Sequence, residues 1–432
     1  MKRATFTLAA GLILTGAASP QNLPPDVLLL SRVRRHIKEE LQHLPNVTCL
    51  ETVRREHQPA KGKMQPLDTV RLEVLTNGQK ELFASPGDRS FSELPPISFV
   101  GSGALGDGYF GLYLRTILVT GNASYAYKGE EDIGGRHLAR WEYRLPLMWS
   151  GQTIQLPHGA GKVSLNGSFW ADPQTYDVAR LAVNAADFPP SLPLTEARWS
   201  VDYSRTSLGG LAVLMPQSAE FRMTTFSGEI SFNELEFTQC RVFGAQSTIN
   251  FDGPDSAEVP SRFGVSAIDD TLRSLPPGLQ IPVRLRSSIP GDAAVGALID
   301  GVIDANVAAK GAIAIAAGSP VRGRIRRLER YSDPFPHFVV ALEFTEVESQ
   351  GIRYRFDADL ARIDPAPGVE QTLSHRGRTE TVDKGFFQEF RVSRETLFFS
   401  NLPGVATFFF KGATLNVPEG LRTVWTTRPT AP

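Results

Sequence analysis

Between Asp26 and Leu44 apolar residues recur at Val27, Leu30, Val33, Ile37, Leu41 and Leu44, with Arg34, Arg35, Lys38 and Glu39 between them. That spacing predicts an amphipathic helix over 26–44, which Pro45 ends. From Val47 the period drops to two. Segments 47–54, 69–75, 123–131, 137–147, 163–171, 177–185, 198–205, 212–224 and 230–243 alternate or are rich in β-branched and aromatic residues, and most are parted by Gly, Asn, Asp or Pro. They predict a run of antiparallel strands. Gly134-Gly135 predicts a tight hairpin turn between two of them. Between 93 and 120 the alternation breaks, and 97–118 reads as short helices or loop.

Strand signals thin out over 244–275, where Asp252-Gly253-Pro254-Asp255 and Pro260 place a seam near 253. A second strand-rich half follows, with strands expected at 279–286, 298–306, 312–315, 321–330, 338–348, 353–361, 389–394 and 405–410. An extended helical period occurs there only at 265–275. The fold class expected is therefore mainly β, with α+β character in the first half. A curved antiparallel sheet or half-barrel, 26–252, is lidded by its N-terminal helix, and an all-β sandwich or barrel, 262–432, follows.

Residues 1–18 stand outside this pattern. Lys2 and Arg3 precede an apolar run from Ala4 to Leu14 and then small residues, with Gly16 and Ala18 fitting a cleavage site after Ala18. This is the order of a secretory signal peptide, and the run is shorter than the about 20 residues of a membrane span. The expected product is periplasmic or extracellular, with no integral membrane span. The net charge of −1 shifts only by the loss of Lys2 and Arg3, and near-neutrality argues against a nucleic-acid partner. Export changes the meaning of the two cysteines, Cys49 and Cys240. A disulfide can persist in such a compartment, and the alternative is two separately buried thiols.

Catalytic signals are absent at the level of motifs. There is no Gly-x-Ser-x-Gly, no His-Glu-x-x-His and no third cysteine for zinc, so no catalytic residue, metal or cofactor is expected. Gly101 to Gly106 matches Gly-x-Gly-x-x-Gly, but 120–127 holds no acid to close on a ribose. The run reads as a glycine-rich connection able to hinge as a lid. His36 and His43, seven apart, read as a solvated helix face. Arg322, Arg324 and Arg326 would share one face of a strand, which leaves two readings, anion binding or cross-strand ion pairing with acids such as Glu343 and Glu346.

The most informative feature is aromatic alternation. Trp141, Tyr143, Leu145, Leu147 and Trp149 occupy every second position, and Tyr125 and Phe169 offer similar apolar faces on neighbouring strands. A concave sheet so lined and lidded by a helix can enclose an apolar ligand, while the alternative is that the helix fills it.

The first half resembles the lipoprotein-carrier superfamily of periplasmic proteins. The likeness rests on the helix 26–44, on Asn46-Val47-Thr48-Cys49, and on the run from Gly167 to Tyr176 with its Asp172-Pro173-Gln174-Thr175 turn leading into 178–183. It implies a lidded half-barrel holding acyl chains. Residues 279–323 are similar to the β-rich domain of type IV secretion channel proteins. The function expected is non-enzymatic binding of a lipid or acylated molecule, lined by Trp141, Tyr143, Leu145, Trp149, Tyr125 and Phe169. The alternative is an envelope adaptor that contacts a protein partner through its second half.

Overall fold

The computed structural model of the chain describes residues 23–77, 79–88, 90–100, 102–120, 122–156, 159–244, 272–309, 312–332, 335–366, 369–373 and 404–429. The expected leader, the seam near 253, most of the 265–275 period and the strand expected at 389–394 lie outside the described residues.

Helix α1 (Pro25–His43) begins with proline in its first turn, where a missing N–H costs nothing, and buries Val33, Ile37 and Leu41. Burial of such side chains contributes about 1.5–3 kcal/mol each. The strands that follow are β1 (Val47–Gln58), β2 (Gln65–Thr76), β3 (Glu81–Ala84), β4 (Ser124–Ile133), β5 (Arg136–Leu145), β6 (Thr153–Leu156), β7 (Gly159–Lys162), β8 (Ser164–Ala171), β9 (Val178–Ala186), β10 (Leu194–Leu208), β11 (Leu211–Thr225) and β12 (Ile230–Val242). A 10-stranded sheet runs in the order β3-β2-β1-β12-β11-β10-β9-β8-β5-β4. Its two ends, β3 and β4, do not pair, so the curled sheet is a half-barrel.

The break in alternation corresponds to a 3₁₀ turn at Pro96–Phe99, a turn of helix, α2 (Leu112–Leu114), and a π-helical turn at Arg115–Val119. These pieces lie in the sheet's concavity beside α1, whose Arg34 donates to the Leu118 carbonyl at 2.8 Å. The polar side of α1 is not simply solvated, as the spacing of His36 and His43 suggested. His36 Nε2 lies 2.8 Å from Asp177 Oδ1, and Arg205 donates to Asp177 and to Glu40, each at 2.8 Å. The turn of Asp172 to Asp177 thereby fastens the helix to the sheet. His43 stays on its own helix, with Nδ1 2.8 Å from the Glu39 carbonyl.

Cys49 and Cys240 form a disulfide between neighbouring strands β1 and β12. It sits where the ladder shifts register, and Gln239 beside it takes the left-handed backbone (φ 50°) that lets a bulge form.

The second half contributes β13 (Arg273–Ser274), β14 (Gln280–Leu285), β15 (Ile289–Pro290), β16 (Leu298–Ile303), β17 (Val307–Ala309), β18 (Ala312–Ile315), β19 (Pro320–Tyr331), β20 (His337–Ser349), β21 (Ile352–Arg355), β22 (Ala358–Ile363), β23 (Val369–Leu373), β24 (Val405–Lys411), β25 (Asn416–Val417) and β26 (Arg422–Thr427). A second 10-stranded sheet runs β13-β21-β20-β19-β16-β14-β26-β22, with β24 on β20 and β23 on β24. Its core includes Trp425, with Phe344 and Phe356 edge-on to it at 5.4 and 5.8 Å. The two sheets touch directly. Val295 exchanges backbone hydrogen bonds with the strand β2, its N–H donating to Thr69 at 2.8 Å and its carbonyl accepting from Arg71 at 2.9 Å.

Candidate functional site

Inward-facing residues of the half-barrel are large and apolar because each strand buries alternate positions. Trp141, Tyr143 and Leu145 of β5 and Phe169 of β8 are all buried, and Trp141 stacks on Phe169 with centroids 5.2 Å apart. Tyr125 is half-buried and meets Phe169 edge-on at 6.2 Å, while its hydroxyl donates to the Ile117 carbonyl. Trp149 departs from the expected stripe. Pro146 lacks the N–H a ladder needs, so β5 stops at Leu145 and Leu147–Ser150 forms a separate helical turn, α3, with Trp149 exposed.

The concavity is filled chiefly by the chain between 100 and 119. Tyr109, Phe110, Tyr113, Leu114, Ile117 and Leu118 are all buried in it. Phe110 meets Phe237 of β12 at 5.0 Å, and Tyr113 meets Trp199 of β10 at 5.6 Å. The glycine-rich run is therefore a strap rather than a free lid, as far as its described residues show. Ser102 donates to Glu329 at 2.7 Å, Arg55 donates to the Ser102 carbonyl, and Asn233 donates to the Ala104 carbonyl at 2.7 Å. Gly106 is required by space. A Cβ there would stand 2.2 Å from the Tyr109 hydroxyl and 3.1 Å from Trp199 Nε1.

Two cavities among the described residues border the strap. The first, about 210 Å³, is bounded by the strap and the β6–β7 hairpin and lined by Ile154, Leu156, Ala197, Trp199, Phe221 and Met223. The second, about 270 Å³, has Lys80, Glu81, Glu93 and Asp107 in its wall beside Leu82 and Leu112. None of Trp141, Tyr143, Leu145, Trp149, Tyr125 and Phe169 lines either one. Of these residues Tyr125 reaches the strap at Ile117, and the first cavity opens over β10 and β11.

Asp107 belongs to both cavity walls and to a buried acidic group with Glu51 and Glu81. Glu81 accepts from the Gly108 and Phe110 N–H groups at 2.7 and 2.9 Å, which anchors the strap to β3. Burial, and then Asp107, push Glu81 up to about 7. Burial raises Asp107 as well. Burial and the neighbouring Glu81 and Asp107 hold Glu51 well above the usual carboxylate range. Glu51 Oε1, the Tyr109 hydroxyl and Trp199 Nε1 have no hydrogen-bond partner among the described residues.

A carboxyl whose folded value is raised keeps its full stabilising contribution below its unfolded value and loses it as pH rises towards the folded value. For Glu81 that window runs from 4.5 to about 7, with a loss of at most ~3 kcal/mol. Glu51→Gln keeps the shape of the protonated side chain and cannot ionise. Melting curves across pH should therefore show the variant level with the natural chain near pH 4.5 and more stable at pH 8. Equal melting temperatures at pH 8 would show that Glu51 carries no such burden.

Sequence patterning missed this group, although one signal was present. Val47, Cys49, Glu51, Val53 and Arg55 share the inward parity of β1 and all are buried, so two charged residues stood in a core register. Arg55 is answered by Asp68, at 2.7 and 2.6 Å, and both lie beside Glu329 of β19.

The three arginines of β19 meet different surroundings, and the β19–β20 ladder shifts register between Arg322 and Gly323 and between Ile325 and Arg327. Arg322 is exposed, 3.9 Å from Glu346, and Arg326 pairs with Glu343 at 3.1 Å. Arg324 turns into the junction between the halves, donating to the Pro86 carbonyl at 2.7 Å, the Gly296 carbonyl at 3.1 Å and Asp88. Among the described residues no group of three or more His, Cys, Asp or Glu side chains is placed to hold a metal ion, and no helix is long and apolar enough to cross a membrane.

The fold thus defines a mainly β chain whose first half is a lidded, strapped half-barrel with a small apolar cavity. No protein-family model matches the sequence, and no curated protein does. Similar solved structures overlap the first half. A LolA superfamily protein from Nitrosomonas europaea is 12% identical with a TM-score of 0.26, covering 50% of this chain and 94% of its own. A putative outer membrane lipoprotein-sorting protein domain from Vibrio parahaemolyticus is 13% identical with a TM-score of 0.29, covering 51% and 93%. A DUF1329 family protein from Desulfovibrio piger is 14% identical with a TM-score of 0.27, covering 49% and 92%. No family membership follows at these values, and none of the three is described as a type IV secretion protein.

Proposed function

We propose that the chain is an exported, non-enzymatic binding protein whose first half, 26–252, takes the apolar end of a lipidic ligand, with 262–432 as a separate β domain packed on it. The observation that supports this most is the cavity of about 210 Å³ under the strap, lined by Ile154, Leu156, Ala197, Trp199, Phe221 and Met223. Its size is below the roughly 300–1,000 Å³ of pockets that enclose a whole drug-sized molecule, so it suits one chain end rather than a whole lipid. The disulfide supports a location in an oxidising compartment, periplasmic or extracellular.

Ala197 points its small side chain into the cavity wall, so Ala197→Leu fills the space without exposing polar groups. A fluorescent fatty acid such as cis-parinaric acid should bind the natural chain saturably and bind the variant about tenfold more weakly or worse, the equivalent of ~1.4 kcal/mol. The melting temperature serves as the folding control. Unchanged affinity in a folded variant, or no saturable binding to the natural chain, would overturn the proposal.

A further inference from the structure

The segment between β5 and β8 carries a surface that the cavity does not account for. Leu147, Met148 and Trp149 are 44%, 77% and 51% exposed, three large apolar side chains in succession on one helical turn. Such side chains ordinarily collapse against their own fold. Here the backbone holds them out. Trp149 and Ser150 donate their N–H groups to the Pro146 carbonyl at 2.9 and 3.0 Å, the buried Ser150 hydroxyl is tied to the Val163 carbonyl, and Gly151 closes the turn in the left-handed region (φ 61°).

The same end of the half-barrel adds a fourth apolar group. Phe226, 69% exposed in the β11–β12 turn, donates its N–H to the Pro193 carbonyl, and Ser191 of that neighbouring turn donates to the Ala160 carbonyl of β7 at 2.9 Å. Acids at this end come from other turns, Asp187 accepting from Ser164 and Glu229 from Ser227 beside Phe226, while the segment that forms the tip is cationic. Arg144 and Lys162 flank it, both exposed, and from Arg144 to Ala171 the sequence has no Asp or Glu.

We propose that the Leu147–Trp149 tip docks the protein on the surface of an anionic phospholipid bilayer. Tryptophan, with an apolar body and one N–H, favours the boundary between headgroups and acyl chains, and leucine and methionine enter the acyl region beside it. Arg144 and Lys162 then lie at headgroup depth, where anionic lipid attracts them. An acidic protein surface would also attract the cations, but three unpaired apolar side chains on a rigid turn match a fluid apolar phase that needs no shape complementarity. The inference stands apart from occupancy of the cavity, although Ile154 and Leu156 of the cavity wall lie on the adjoining hairpin.

The test is sedimentation of the full chain with vesicles of phosphatidylcholine alone and of phosphatidylcholine with an equal part of phosphatidylglycerol. The expected partition into the anionic vesicles is at least about tenfold higher, as two cations near the surface imply, and falls with added salt. The double variant M148D/W149D should lose that binding at an unchanged melting temperature. With brominated acyl chains, tryptophan fluorescence should be quenched in the natural chain and not in Trp149→Phe, since Trp141, Trp199 and Trp425 are buried and the half-buried Trp170 is held against Glu131 and Arg140. Equal binding to both vesicle types overturns the proposal, as does binding that survives in M148D/W149D, which would place attachment in the apolar run 4–14. Failure to bind either vesicle, or self-association abolished by the same variant without lipid, also overturns it.

Discussion

Glu329→Ala should destabilise the protein by about 3–5 kcal/mol, because it removes one partner from a fully buried ionic network and leaves the others uncompensated. Glu329 of β19 is within 2.5 Å of Arg327 and 4.0 Å of Arg55, accepts from the Ser102 hydroxyl at 2.7 Å, and accepts from the Tyr331 hydroxyl at 2.8 Å. Arg55 in turn holds Asp68 at 2.6 Å. Two guanidinium groups and two carboxylates thus balance in charge among side chains that water does not reach. Burial works against an ionised Glu329, but Arg327 and then Arg55 outweigh it and leave its acidity stronger than usual. The stability it contributes is complete above its unfolded value and lost as pH falls through the lower folded one.

Position makes this residue more than a local contact. It joins the second sheet to β1 and β2 and to the strap that fills the half-barrel. Urea unfolding at neutral pH gives the cost, which is a large part of the about 5–15 kcal/mol typical of a folded chain. Glu329→Gln, which keeps the shape, should cost less than the alanine variant and more than a surface change. A cost below ~1 kcal/mol for Glu329→Ala would mean that the halves do not depend on this clasp.

The second large effect concerns the disulfide. Cys49 and Cys240 are 191 residues apart in sequence, so the bond closes almost the whole of the first half. A loop of that length limits the unfolded chain by roughly 5 kcal/mol in the chain-entropy account, and measured losses on removal are typically 2–5 kcal/mol. The double variant Cys49→Ala/Cys240→Ala should unfold at a correspondingly lower denaturant concentration. Reductant should shift the natural chain towards it and leave the variant unmoved. Thiol labelling of the unreduced native chain should find no free thiol at these positions, as the bond requires. Identical midpoints with and without reductant would contradict the expectation.

How far the chain announces its structure depends on whether a feature is local. Helix α1 and most long strands were readable because one buried face imposes a fixed period on ten or more successive positions. The short strand β3, the glycine-bearing hairpin β6–β7 and the strand β26 escaped that reading. Four residues give too little period, glycines carry no pattern, and Thr423, Trp425 and Thr427 alternate apolar with polar types on the same buried side. Trp149 was misplaced by following parity through Pro146, where the missing donor ends the ladder. Alternation puts Arg324 on one strand face with Arg322 and Arg326 but cannot see that Pro86 and Asp88 of the first half cover it.

The mainly β class, the opening helix, the break between 93 and 120 and one possible cysteine pair are legible in the residue order, because all are properties of local period or composition. What fills the half-barrel, which side chains border the cavity and how the halves are joined depend on contacts between segments far apart in the chain. Glu51, Glu81 and Asp107 meet from three separate elements, and Arg55, Asp68, Arg327 and Glu329 from opposite halves of the chain. Such groups come together through long-range packing, where the cost of burying a charge is met only by a partner that no local spacing reveals.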